Sequence, residues 1–472
     1  MASLIIGATP GLTVNMAVAL AVPLTMHMPL EPSLVLLLAL YCSGIFGGSV
    51  SAILINAPGT PASAATVLDG YPLAQQGKAG KALKMALAAS LAGGLFSVLV
   101  LVLISRTVAD FALLFGPAER AALLLFALTL VGLLSGHSIL KGLIAGSLGL
   151  LLSTVGLDPM LAVPRFTFGL LELEDGLSLI PVLVGLFAIS EVLLQAETRM
   201  RGAIGLDLRQ THDKMLNRLS WGEISASART IVRSSLIGTF IGILPGIGAT
   251  VASFVGYGEA KRSSRQPQLF GKGSLEGVAA SEAANNAVTG ATLIPLLALS
   301  IPGDSVTAIL YGALLIQGVT PGPLLFQTGL GLVYEIYVAL IAANLFMAGV
   351  GLAFLPLFRH VTRAPARVLF PIVFVLSVVG AWSVRNNAFD LYVMMGFGAL
   401  GYVLRRVEVP LAPLLIAFIL GVPFEQALRQ ALVSSDGSPA VFLSRPLSAA
   451  LIVVTVASLA WMAWRNRKES TA

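Results

Sequence analysis

SEAANNAVTGATLIPLLALSIPGDSVTAILYG, residues 281–312, is apolar enough to lie inside a lipid bilayer, yet it carries Glu282, Asn285, Asn286, Pro295, the Pro302-Gly303 step, Asp304 and Ser305. Such residues are costly there. An Asp at the centre of a membrane helix costs roughly 2.5–3.5 kcal/mol on insertion scales, and backbone groups without partners add to that. A polar cavity between helices is therefore expected around them. A Pro-Gly step interrupts a helix, frees carbonyls behind it and N–H groups ahead of it, and so prepares a site for an ion or an anionic solute. The stretch reads as half of a transport site.

Composition places the rest of the chain in the same environment. Of 472 residues, 56% are hydrophobic and 11% charged, with a mean hydropathy of +0.90. These values exclude a single soluble globule with an ordinary polar surface. Gly at 48 and Pro at 25 suit transmembrane helices that pack closely and break. The net charge of +6 comes from basic residues clustered in a few loops, which is a topology signal and not a nucleic-acid patch. Cys42 is the single cysteine, and His27, His137, His212 and His360 are scattered, so neither a disulfide framework nor metal-ligand spacing exists. No cleavable signal peptide is expected, because the first apolar segment runs past a small-residue site into the next span.

An internal repeat connects the stretch to the N-terminal half. Ile6-Gly7-Ala8-Thr9-Pro10-Gly11-Leu12 is echoed by Ile241-Gly242-Ile243-Leu244-Pro245-Gly246-Ile247. Asn56-Ala57-Pro58-Gly59-Thr60 is echoed by Ser300-Ile301-Pro302-Gly303-Asp304. Chance recurrence of Pro-Gly punctuation is the alternative, but two ordered pairs with matching flanks would have to coincide. Basic clusters at Lys78, Lys81 and Lys84, from Arg199 to Arg233, at Arg359, Arg363 and Arg367, and at Arg465, Arg467 and Lys468 are expected in the cytoplasm. Apolar segments near 85–105, 118–135, 139–156 and 177–196 give four crossings between the first two, with the acidic loop Asp158 to Asp175 outside. Segment 231–257, basic at both ends, fits a re-entrant hairpin. Segment 33–75 then crosses inward, 278–318 outward and 329–356 back. Further spans near 368–384, 390–404, 409–421 and 446–464 bring the C-terminus to the cytoplasm.

The fold expected is an all-α polytopic membrane protein of about 10–14 transmembrane or re-entrant helices in two inverted structural repeats with broken helices. Its parts are a first repeat at 1–196, a cytoplasmic polar linker at 197–230, a second repeat at 231–464 and a cytoplasmic tail at 465–472.

Candidate ligand residues follow from this frame, each with a structural alternative. Asn285 and Asn286 lie three and four residues after Glu282, so a carboxylate and an amide can share a ligand, or the group can clamp helices together. Asn56, Pro58, Gly59 and Thr60 present an amide, a hydroxyl and freed N–H groups to a carboxylate, or simply cap a broken helix. Pro302, Gly303 and Ser305 form the matching break. Ser49 and Ser51 stand on a small-residue face with Ser43, Gly44, Gly47 and Gly48, a pattern more typical of close packing. Asn285, Gly303 and Asp304 make a candidate sodium site, with helix capping as the alternative for Asp304. Gly11, Gly246 and Gly248 mark bends or close approaches. Glu191 and Glu335 are expected to find buried basic partners. Ser138-Ile139-Leu140-Lys141 fits Ser-x-x-Lys, so an intramembrane hydrolase is a competing class, but the match is short and Lys141 sits where it can snorkel. A channel is a third class, which paired broken segments suit less well than alternating access.

The motifs IIGATPGL, SGIFGGSVSAILINAPGTPASAATVLDGYPLAQQGKAGKAL, LSGHSILKGLIAGSLGLLLSTVGLDP, RFTFG, IGILPGIG, YGEAKR, LFGKGSLEGVAASEAANNAVTG, SIPGDS and GVTPGPLLF resemble the large membrane subunit of the tripartite tricarboxylate transporters, the TctA family. The likeness covers nearly the whole chain. It implies a non-enzymatic permease of the bacterial inner membrane that works with a small TctB-like membrane subunit and a periplasmic TctC-like solute-binding protein. It further implies import of citrate-like or other organic carboxylates, driven by an ion gradient with Na+ favoured and no other cofactor. The family usually has Pro at the position of Ser281, Gly at that of Ser300 and a small residue at that of Asp304. Its members often carry more sequence before Pro10, which suggests a shortened start here.

Overall fold

The computed structural model describes residues 4, 7–8, 12–134, 138–200, 217–361 and 366–470, with backbone alone at 133–134, 198–200, 356–361, 366–369 and 462–470. Pro10, Gly11, His137, His212 and Arg363 lie outside the described residues, as do residues 201–216 of the linker and the side chains of Arg199, Arg359, Arg367, Arg465, Arg467 and Lys468.

Apolar runs without polar relief form long helices. The first described are α1 (Val14–Thr25), α2 (Leu30–Ile55), α3 (Ala64–Gln75) and α4 (Ala79–Ala112). At 26 and 34 residues, α2 and α4 are about 39 and 51 Å long, enough to cross a hydrocarbon layer of about 30 Å. Then come α5 (Pro117–Leu134) and α6 (Ile139–Ser153). A two-strand hairpin follows, with Gly156 opposite Arg165. A span runs from α7 (Leu179–Val184) through a π-turn at Gly185–Ile189 into α8 (Ser190–Met200). Five described helices are long and apolar enough to cross a membrane, and exposed Leu103, Val338 and Phe346 give two of them a lipid-compatible surface.

The second half opens with α9 (Trp221–Ile243) and α10 (Gly248–Ser263). These form a helical hairpin where the re-entrant segment was expected. Gly246 and Gly248 at its tip have φ of 87° and 71°, a left-handed backbone that glycine adopts without strain. Its two bases are tied together where Glu276 accepts from Thr230 (2.6 Å) and Ser264 (2.6 Å). They share a face with the α3–α4 junction, where Lys81 pairs with Glu223 at 2.7 Å and Gln76 donates to the Lys272 carbonyl at 2.8 Å. Lys78, Lys81, Lys84, Lys261, Arg262, Arg265 and Lys272 cluster around that face. The helix starts at Trp221 because Ser220 and Glu223 form a capping box, ten residues before the expected start at 231.

The organising stretch becomes α11 (Leu275–Ala291), α12 (Leu293–Leu299) and α13 (Ser305–Ile316). It begins on the basic face and ends where Gln317 donates to the Thr25 carbonyl at 2.6 Å, whereas α2 begins beside Thr25 and leads to the basic face. Tyr41 touches Thr292 and Ser49 touches Glu282, so α2 and α11 run antiparallel. The chain closes with α14 (Leu325–Thr328), α15 (Leu330–Val361), α16 (Ala366–Arg385), α17 (Ala388–Arg406), α18 (Leu411–Val433), α19 (Val441–Ser444) and α20 (Pro446–Ser470). Helix α18 runs twelve residues past the expected end at 421, since its polar last turns join an ion network. There Arg165 pairs with Glu425 (2.7 Å) and Arg429 with Asp158 (2.9 Å).

Candidate functional site

The two echoed Pro-Gly segments fold alike. Helix α2 ends at Asn56 (φ 57°, ψ 26°) and α12 ends at Ser300 (φ 60°, ψ 27°), both left-handed. After each Pro-Gly, an extended residue caps the next helix with a capping box, Thr60 with Ser63 and Asp304 with Thr307. Each break docks on its own half. The Gly59 amide donates to the Gly48 carbonyl at 3.1 Å, and the Gly246 amide donates to the Gly303 carbonyl at 2.8 Å. A Cβ at Gly48 would lie 2.6 Å from Thr60 Oγ1, so this glycine is required by close approach. Asn56 and Pro58 are exposed, Gly59 and Thr60 buried; Pro302 and Gly303 are buried, Asp304 and Ser305 half-buried.

Between the breaks lies a buried polar core on α11. Glu282 has 0% exposure. It accepts from Ser49 of α2 (2.6 Å), from Thr66 of α3 and from Ser90 of α4 (3.0 Å). Asn286 donates to Ser90 Oγ (2.8 Å) and to the Glu282 carbonyl (3.1 Å). A carboxylate removed from water needs such donors, because an unpartnered buried charge is far costlier than a neutral group. Ser49 is thus brought to Glu282, whereas Ser51 donates to the Gly48 carbonyl at 3.1 Å and belongs to packing.

Asp304 acts as a helix cap. Its Oδ1 accepts from the Thr307 amide and hydroxyl, both at 2.8 Å, and its Oδ2 accepts from Tyr41 at 2.8 Å. Gly303 packs on Thr292, seven residues beyond Asn285, or about 10 Å of helix rise. Asn285 and Asp304 therefore stand at different levels of the bundle, and among the described residues no cluster of three His, Cys, Asp or Glu could hold a metal. Ser305 donates to Asn15 of α1 at 3.1 Å.

Asn285 differs from its neighbours. Its amide is fully buried, and neither Oδ1 nor Nδ2 has a hydrogen-bond partner. Leaving such a group unsatisfied costs about 1–3 kcal/mol per atom, so an unpaired buried amide asks for a ligand.

Sequence reading missed Tyr41, Thr66, Ser90 and Thr292, whose hydroxyls complete the core. Their only signal was a polar atom inside an apolar run, which Ser and Thr give throughout membrane helices by bonding back to the preceding turn. Elsewhere, Glu191 pairs with Arg405, as expected, whereas Glu335, for which burial was also expected, is exposed. Lys141 reaches Glu408 at 3.6 Å.

The model of the tripartite tricarboxylate transporter TctA family matches residues 1–416. A protein of Agrobacterium vitis, described as an uncharacterized 52.8 kDa protein in the TAR-I ttuC' 3' region, is 35% identical over 453 residues, 96% of this chain and 89% of that protein. A second from the same organism, described as an uncharacterized protein in the TAR-II ttuC' 3' region, is 40% identical over 215 residues, 46% of this chain and 89% of that protein. No solved structure matches the chain. With the match running from the first residue through α17 into α18, the chain belongs to the tripartite tricarboxylate transporter TctA family, a family of membrane transporter components.

Proposed function

We propose that this chain is the permease subunit of a binding-protein-dependent secondary transporter that imports organic carboxylates, tricarboxylate-like, together with a co-transported cation, sodium by preference. It works in the bacterial inner membrane with its C-terminus in the cytoplasm, beside a small TctB-like membrane subunit and a periplasmic TctC-like solute-binding protein. The observation that carries this reading is a pair of like-folded helix breaks on antiparallel helices, flanking the buried polar core Glu282–Asn286. Paired breaks at a repeat interface are the usual setting of a secondary-transport site.

In this reading the halves are inverted repeats. Asn285 and Asn286 hold the carboxylate with the Thr60 break, Ser49 positions Glu282, and the Pro302–Ser305 break contributes backbone groups. Helix N-termini after Gly59 and Gly303 favour negative charge. The cation offsets the anion in a low-dielectric site, and its gradient drives import. One repeat-derived element then moves against the rest to open the site inward.

Reconstitution tests it. Proteoliposomes holding this chain and the small subunit, supplied with the binding protein and radiolabelled citrate, malate or succinate, should accumulate one of them under an inward sodium gradient. Accumulation should stop when any of the three proteins is omitted. Equal uptake without a gradient would replace symport by facilitated diffusion, and equal uptake without the binding protein would remove the tripartite assignment.

A further inference from the structure

Resting on the carboxylate-transport reading, we infer that Ser253 of the helical hairpin and Asn285 of α11 together form a station for one carboxylate group of the transported solute, at the N-terminus of α3. Both side chains have 0% exposure, and Ser253 Oγ, like the Asn285 amide, has no hydrogen-bond partner.

Helical spacing brings them to one place. Residues three and four apart share a helix face. Four residues before Asn285, Ser281 bonds Thr66 at 3.0 Å; three residues after it, Val288 packs in one cluster with Ala62 and Ala249. Four residues after Ser253, Tyr257 donates to Asp69 of α3 at 2.9 Å; four before it, Ala249 belongs to that same cluster with Ala62. Asn285 thus lies between a contact to Thr66 and the cluster that holds Ala62, and Ser253 between a contact to Asp69 and that same cluster. Both face the first turns after the Pro58-Gly59 break, where the 3-10 turn Pro61–Ser63 leads into α3.

The chemistry selects the ligand. Ser253 offers one O–H and Asn285 two N–H donors, and they face the positive end of a helix, so the unmet demand is for an acceptor. A cation there would leave the Asn285 N–H groups orphaned, whereas a carboxylate takes them and the serine hydroxyl together. Asn285 Oδ1 then accepts from a hydroxyl or water carried with the solute. The nearby Glu282 is already met by three hydroxyls. Because Ser253 lies on the hairpin and Asn285 on the crossing helix, a bound carboxylate would also tie the hairpin to the core.

The test uses wild type, S253A, N285A and N285D in the reconstituted system, with whichever of citrate, malate and succinate the wild type transports as probe, plus thermal unfolding of each purified protein without solute. S253A and N285A should each raise KM about tenfold or more. N285D, nearly isosteric but anionic, should abolish uptake. S253A should also unfold at the same or a higher temperature than wild type, since it removes an orphaned polar atom; a merely structural serine would lower it. Unchanged KM in S253A and N285A with an active wild type overturns the station alone, as does N285D uptake with tightened sodium dependence, which would assign a cation there. No uptake of any of the three by wild type sinks the transport reading and the station with it.

Discussion

A carboxylate with no exposure has to be answered by donors from its own bundle, and Glu282 is answered from three helices at once. Replacing it by Ala leaves the hydroxyls of Ser49, Thr66 and Ser90 facing an apolar gap, at a cost of roughly 1 kcal/mol or more each. Replacing it by Gln keeps an acceptor, and the hydroxyls can rotate to receive the new N–H groups. E282A should therefore unfold several degrees below E282Q in detergent, followed by fluorescence-detected size exclusion; equal midpoints would mean that the hydroxyls find other partners. At this scale the sequence was half legible. Glu282, Asn285 and Asn286 stood out because amide and carboxylate groups inside an apolar run must be compensated. The hydroxyls of Thr66 and Ser90 did not, since they lie more than 190 residues from Glu282 and nothing local distinguishes them from back-bonded serines and threonines.

At the level of elements, the breaks are two solutions of one local problem, and the difference between Thr60 and Asp304 as caps is open to experiment. D304A removes the acceptor for the Thr307 amide and for Tyr41, and should cost about 1–2 kcal/mol of stability. D304N retains a capping acceptor and should keep both stability and uptake, whereas a cation ligand would not survive the loss of charge. Sodium-dependent uptake and thermal midpoints of the two variants decide between cap and ligand. The Pro-Gly echoes made the breaks visible in the sequence; that Asp304 serves as a cap follows only once Thr307 and Tyr41 are seen around it. The hairpin loop after α6 offers an electrostatic counterpart. N–H groups of Leu161 and Met160, with Arg429 beside them, hold the Asp158 carboxyl below its usual range. A depressed native pKa stabilises fully above the unfolded value of about 3.9 and is lost as pH falls through the lower native value. Exchange-corrected hydrogen–deuterium protection of residues 156–165 should thus fall only below about pH 4, and D158A, which removes the acceptor of the Met160 and Leu161 N–H groups, should show the unprotected state already at neutral pH.

For the whole molecule, the informative feature is direction. Parity of basic clusters in the sequence requires 33–75 and 278–318 to cross in opposite senses, and the structure has α2 antiparallel to α11, with Gln317 beside Thr25 at one end and Lys272 beside Gln76 at the other. What the sequence could not give was which helices meet, because pairing between halves rests on small residues and hydroxyls whose partners lie far along the chain. A thiol-accessibility experiment connects this arrangement to the membrane. Cys42 is the single cysteine and is buried, so C42A supplies a silent background. Exposed Gln76, Trp221 and Ser263 lie on the basic face, and exposed His27, Leu161 and Thr320 on the opposite one. Introduced cysteines at the first three should react with an impermeant maleimide only in inverted vesicles, those at the second three only in intact spheroplasts. Because α9 and α10 are a hairpin, Trp221 and Ser263 must label from the same side even though 41 residues separate them. Labelling of those two from opposite sides would make the pair a true crossing, break the parity on which inverted repeats depend, and leave the two Pro-Gly breaks opening toward the same face.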